Sequence, residues 1–256
     1  MKTVNKFLIF LLFILLVPSF TCFAEEIPRK ETREDSAQRK IFIGPVIGVN
    51  FSKWAGGNTI EWRSESEKIL KRIPQLRVGI VGTFELNRWF SLQSELLFNQ
   101  KGSKWQDIEY NDLWFEYHLN FLDIVLLPKF SFGGKRIKFF VNPGISLGYL
   151  MGGKLIYIKY QAENGQIFNL QKEEIKLSWA GEDPDETSEC LSRFDMEIIV
   201  GFGLEVILAH NPLSVEFRWS RGLLNTMNND FADYTGYSDI IGISLSYQFR
   251  IDHNKK

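Results

Sequence analysis

The chain has 256 residues, of which 45% are hydrophobic and 14% aromatic, and its 30 Lys and Arg nearly balance 31 Asp and Glu for a formal net charge of −1. That balance argues against a nucleic-acid partner, and two cysteines, one of them in the first 24 residues, exclude a disulfide-stapled small fold. No run of eighteen apolar residues follows residue 24, so no spanning helix is expected there, and a membrane location would require a β-barrel.

Lys2 and Lys6 precede an apolar run from Phe7 to Val17, followed by Pro18, Ser19 and a Cys22-Phe23-Ala24 step. This is the layout of an export signal, with cleavage expected after Ala24. A run of this length ended by proline falls short of the ~20 residues a membrane-crossing helix needs. Ser19-Phe20-Thr21 lacks the pattern that would direct a lipid to Cys22. Residues 1–24 are therefore read as a signal peptide and 25–39, charged and without apolar period, as a polar periplasmic leader.

From residue 40 the pattern turns to period two, in which alternate side chains share one face of a strand. Eight segments obey it: Ile41 to Ser52, Leu76 to Leu86, Phe90 to Lys101, Leu119 to Phe132, Lys138 to Tyr149, Phe194 to Val206, Leu213 to Ser220 and Ile241 to Arg250. Short turns are expected at Asn87-Arg88, Gly133-Gly134 and Ala209-His210-Asn211-Pro212. Long connections are expected at Trp54 to Gln75, Gly102 to His118, Leu150 to Ser192 and Gly222 to Tyr237. Strict alternation of short and long predicts an all-β, eight-stranded antiparallel up-and-down transmembrane β-barrel, with short periplasmic turns and long external loops. The barrel spans 40–250 and a polar tail 251–256. Two external connections carry further strand pattern, around Asn164-Gly165 and around Asn111-Asp112.

The rival is a soluble lipocalin-like barrel, which turns its apolar face inward around a ligand. Here small residues such as Gly48, Ser146, Gly201 and Ser244 crowd the polar face, while Phe51, Phe139, Phe202, Phe217, Trp219 and Phe249 crowd the apolar one. Bulk outside and small residues inside fit a narrow membrane barrel. Counting from the short turns puts Glu85, Glu95, Glu205 and Glu216 in the periplasmic half of the lumen, with Lys129, Arg218 and Arg250 near that level. Such a lumen charge cluster is either a gated ion path or a plug of mutually satisfied ion pairs, and the narrowness of eight strands favours the plug.

Catalysis has little to stand on. His118, His210 and His253 share no pattern with a nucleophile, so no enzyme is expected. The acidic stretch Glu182-Asp183-Pro184-Asp185-Glu186 lacks the spacing of a calcium loop, and Cys190 has no metal-ligand neighbours, so no metal and no cofactor are expected.

The segments Gly44-Pro45 to Ser52, Leu92-Gln93-Ser94-Glu95-Leu96-Leu97-Phe98-Asn99-Gln100-Lys101-Gly102 and Pro143-Gly144-Ile145-Ser146-Leu147-Gly148-Tyr149-Leu150 occur in an order and spacing that resemble the PorT-like, or "porin family", outer-membrane barrels of the Bacteroidetes. The resemblance covers most of residues 40 to 250. It implies an outer-membrane location, contact with outer-membrane lipids, assembly by the barrel-assembly machinery and, from some relatives, an envelope or protein-secretion partner. Two departures stand out. The family's Tyr-Leu-x-Ile-Pro block is replaced by Leu122-Asp123-Ile124 separated from Pro128, and seven residues follow Phe249, so Tyr247 and Phe249 would act as an internal assembly signal.

Overall fold

A computed structural model describes residues 40–55, 68–107, 114–163, 166–176, 191–226 and 236–251. The strands are β1 (Lys40–Ala55), β2 (Lys68–Lys71), β3 (Ile73–Glu85), β4 (Phe90–Asp107), β5 (Trp114–Gly133), β6 (Ile137–Glu163), β7 (Gln166–Lys176), β8 (Phe194–Leu208), β9 (Asn211–Gly222), β10 (Tyr237–Tyr247) and β11 (Phe249–Ile251). All pairings are antiparallel in the order β10-β9-β8-β6-β5-β4-β3-β1, and β1 closes the ring by pairing with β10 and β11. Closure leaves eight staves, because β2 continues β3, β11 continues β10, and β7 pairs with β6 beyond the ring.

The alternation is realised with the apolar face outward. Along β1, Ile41, Ile43, Ile47, Val49 and Phe51 are exposed while Phe42, Val46, Asn50 and Ser52 are buried. The outward run from Ile41 to Phe51, at ~3.3 Å per residue and a tilt of about 40°, spans roughly 25 Å, the height of a barrel's apolar band. Trp89, Phe90 and Phe130 make an aromatic patch at the short-turn end, and Tyr149 packs edge-on against Phe194 at the other. Burial of the polar face overturns the lipocalin-like alternative.

Connections are shorter than the sequence suggests. The third short turn is confined to Ala209 and His210, both at positive φ (48° and 79°), as a two-residue hairpin turn with the twist of its strands demands. Asn211 and Pro212 already belong to β9. At Leu86 to Trp89 the Asn87 side chain accepts from the Trp89 and Phe90 amides at 3.0 and 2.8 Å, which fixes the turn locally. Strands also overrun the expected external loops: β4 continues to Asp107, β5 starts at Trp114, and Gln106 still pairs with Trp114. β7 matches the strand pattern read around Asn164-Gly165, since Glu163 pairs with Gln166 across it, whereas β2 falls in a stretch read as loop; the two dipeptides Asn164-Gly165 and Asn111-Asp112 themselves lie outside the described residues. The last described strand, β11, ends at Ile251.

Three staves carry irregularities with identifiable causes. Leu126 pairs with Ile145 and Phe130 with Val141, so Pro128 stands across from Pro143, and neither has an N–H to give the ladder. The register slips by one where Asn120 pairs with Gly152 and Phe121 with Leu150, which leaves Met151 as the extra residue of a bulge. Arg72 is the second such residue, between β2 and β3. Its guanidinium donates to the Phe51 and Asp239 carbonyls and to the Asp239 carboxylate at 2.7 Å, clamping the β1–β10 seam.

Candidate functional site

Inward side chains build the lumen from the short-turn end upward. At that mouth Lys129 meets Glu205 at 2.6 Å, Lys138 lies 3.8 Å from Glu205 and 3.4 Å from Glu85, and Lys40 is 3.9 Å from Glu85. Lys129 also sits 4.2 Å over the Phe140 ring. Above it come the buried Val46, Val81, Leu97, Val125, Leu127 and Ile199.

Among these lies a balanced network of two guanidiniums and two carboxylates. Arg218 grips Glu95 through two bonds of 2.9 Å and donates to Glu216 at 2.5 Å, while Arg77 donates to Glu95 at 2.8 Å. Gln93 and Asn142 donate to Glu95 and Glu216 at 2.7 and 3.1 Å. Two-point contact of a planar guanidinium with a carboxylate is the strong form of this pair and fixes both partners. Gly201 makes room for it, because a side-chain carbon there would collide with Asn142 and Glu216.

A second network sits nearer the external end. The Lys101 ammonium lies 3.2, 3.0 and 2.9 Å from Asp123, Asp195 and Glu197, and 4.6 Å over the Phe121 ring. Ser238 donates to Asp195 and Glu197, Asn99 to Asp123, and Asn50 to Asn99. One ammonium thus faces three carboxylates, all buried. Asp123 Oδ1 and Asp195 Oδ1 have no hydrogen-bond partner among the described residues. Gly148 plays the part that Gly201 plays below, since a side-chain carbon there would strike Asp123. Between the networks a cavity of about 10 Å³, bordered by Asn50, Arg77, Asp123, Glu197 and Arg218, has room for one water. Trp54, Trp105, Tyr117, Leu119, Phe121, Leu150 and Leu191 cap the interior, with the Trp54 and Tyr117 rings 4.6 Å apart.

Above the apolar band, β2, β4, β5, β6 and β7 continue as a five-stranded wall. Its outer face is polar: Lys104 bonds Glu116 at 2.9 Å, His118 lies 3.3 Å from Glu116, Lys154 bonds Glu174 at 3.1 Å, and Lys104 stands 4.0 Å over the Trp114 ring. Burial pushes the Glu116 carboxyl up, but the hydrogen bond and charge of Lys104, with His118, outweigh it and hold the group below the usual glutamate range. Tyr157 donates to Glu173 at 2.6 Å, and that bond pushes its phenol up.

The residues singled out in the sequence fall into three places. Glu95, Glu216 and Arg218 meet in the balanced network. Glu205 and Lys129 pair at the mouth, where Glu85 joins Lys40 and Lys138 instead of the buried set. Arg250, opposite Phe42, lines the mouth. Glu85 and Arg250 thus stand at the short-turn mouth, at the end of the lumen where the count from the turns puts them. Sequence reasoning missed Arg77, Lys101, Asp123, Asp195 and Glu197 as a set. The available signal was parity: Lys101 shares a face with Glu95, and Asp195 and Glu197 share one with Glu205. His118 and His210 are far apart in the fold's logic, one on the external wall and one in a short turn. His253, Cys190 and the 182–186 acidic stretch lie outside the described residues. Among the described residues no group of three His, Cys, Asp or Glu is arranged to hold a metal ion.

The family model described as the outer membrane protein beta-barrel domain matches residues 31–228. The chain belongs to that outer-membrane barrel family. Solved structures with a similar fold include Ail, the attachment invasion locus protein of Yersinia pestis, at 9% identity and TM-score 0.39, covering 82% of this chain and 99% of that one. OprG of Pseudomonas aeruginosa is similar at 7% identity and TM-score 0.44, covering 83% and 96%. The outer membrane protease OmpT of Escherichia coli is similar at 10% identity and TM-score 0.40, covering 84% and 98%. These likenesses extend to the fold alone. No curated protein matches the chain.

Proposed function

We propose that this outer-membrane barrel is non-enzymatic, keeps its lumen closed, and acts through its external wall. The observation that carries the reading is the filled interior, in which the space between the two charge networks has room for a single water and aromatic rings cap the external end. A solute crossing this section would have to separate buried ion pairs, at a cost on the order of 3 kcal/mol for each charge left unpaired. The wall supports the second half of the reading, since it lifts a polar face with Lys104, Trp114, Glu116 and His118 clear of the apolar band. Such a surface suits an envelope or secretion protein as partner, which is also what the PorT-like motifs of the Bacteroidetes imply. The N-terminal segment supports export with cleavage after Ala24, and Tyr247 and Phe249, edge-on at 5.0 Å, suit an assembly signal read by the barrel-assembly machinery. No nucleic acid and no cofactor enter this reading.

The test is electrical. Full-length protein purified in detergent and reconstituted in a planar bilayer is expected to show no unitary conductance. Reproducible channel steps whose size changes in Arg218→Ala would overturn the closed lumen in favour of a small-solute or ion channel.

A further inference from the structure

The short-turn mouth holds a cavity of about 170 Å³ whose chemistry the closed lumen does not use. At ~30 Å³ per water it has room for five or six waters, the bulk of one small polar group. Its cations are Lys40, Arg88, Lys129, Lys135, Lys138 and Arg250, against the carboxylates of Glu85 and Glu205. Leaving out Arg250, which has a contact of its own, three positive charges are in excess. Glu205 and Glu85 are already shared among Lys129, Lys138 and Lys40. Arg88 and Lys135, exposed in the first and second short turns, form no ion pair among the described residues.

Charge of one sign along a recess with low-dielectric walls concentrates counter-ions, but charge alone does not make a site. The floor supplies the second observation. Thr83 and Gln248 are among the lining residues, are buried (8% and 1% exposed), and their Oγ1 and Oε1 have no hydrogen-bond partner among the described residues. Burying a hydroxyl and an amide oxygen without partners is costly. The cavity thus asks for a group with negative charge to meet the cations, an acceptor for the Thr83 hydroxyl, and a hydroxyl of its own to donate to Gln248.

We propose that this periplasmic mouth is a binding site for a phosphate group carrying or neighbouring a hydroxyl, such as hydrogen phosphate or glycerol phosphate. Near neutral pH a phosphate monoester carries close to two negative charges and a phosphodiester one, which takes up part of the excess while the phosphate oxygens reach several cations at once. The same chemistry is borne by a free solute and by the head group of phosphatidylglycerol.

Calorimetry on the full chain in neutral detergent, with inorganic phosphate and glycerol 3-phosphate as probes and chloride at equal ionic strength as reference, reads the site directly. Saturable phosphate binding is expected, at least tenfold weaker in Arg88→Gln/Lys135→Gln and about fivefold weaker in Thr83→Val. Both variants leave the buried ion pairs intact, and a retained heat-modifiable band on gels verifies that they fold. If the soluble probes fail but vesicles containing phosphatidylglycerol retain the protein's mouth protected, with that protection lost in the same variants, the source is the lipid. Phosphate binding no tighter than chloride together with indifference to phosphatidylglycerol would overturn the proposal, as would wild-type affinity in both variants.

Discussion

The two buried charge networks occupy the same barrel, a few residues apart, yet they are built on opposite arithmetic. Around Glu95 two guanidiniums meet two carboxylates, and Arg218 holds Glu95 at two points. Around Lys101 a single ammonium holds three carboxylates, two of which leave an oxygen without a partner. The first is balanced in charge, although Arg77 Nε and Asn142 Oδ1 have no partner among the described residues, so that each charge is needed to offset another. The second has one indispensable charge and negative charge to spare, so its members are unequal.

Substitutions test that inequality. Lys101→Met has the largest expected effect, because it removes the one cation from three buried carboxylates. The cost should reach or exceed ~5 kcal/mol, the upper end for breaking a buried pair, and urea titration followed by gel mobility should find little folded barrel. Glu95→Gln comes next at about 3 to 4 kcal/mol, since Arg77 and Arg218 lose their shared acceptor. Replacing Arg77 and Glu95 together by Met and Leu should cost less than the sum of the two single changes, by at least ~1 kcal/mol in a double-mutant cycle. Additive costs would dissolve the network into independent contacts.

The strand pattern was legible where the two faces meet different surroundings. Between Ile41 and Phe51, or Phe194 and Leu208, lipid outside and a packed lumen inside force alternation, and the segments read from sequence fall on the staves. Beyond Lys101 and before Leu119 the outer face meets water, so Lys104, Gln106, Glu116 and His118 are polar and the alternation that marks β4 and β5 fades, leaving only the weaker strand pattern around Asn111-Asp112. The charge set was legible by face but not by partner. Parity puts Glu95, Lys101, Glu205 and Arg218 inside, whereas stave stagger decides that Arg218 reaches Glu95 across the barrel and that Lys101, at the end of its expected strand, reaches Asp195. Sequence spacing contains no record of that cross-barrel height.

The smaller effects sharpen the contrast. The wall trio of Lys104, Glu116 and His118 should matter little: Glu116 is part-exposed and its pair is worth at most ~1 kcal/mol. Its carboxyl is held below the usual range, so the contribution is present above the unfolded value near 4.3 and is lost as pH falls through the lower folded value. Hydrogen exchange of the β4–β5 wall amides should rise with acidification and remain flat in Glu116→Gln.

The most direct measurement pairs Glu95→Gln with Asp195→Asn in urea unfolding at neutral pH. Each substitution removes one buried carboxylate charge at nearly constant shape. The unequal networks predict a loss of about 3 to 4 kcal/mol for Glu95→Gln and a change within ~1 kcal/mol, or a gain, for Asp195→Asn, whose charge is surplus. Equal losses at both positions would contradict the account.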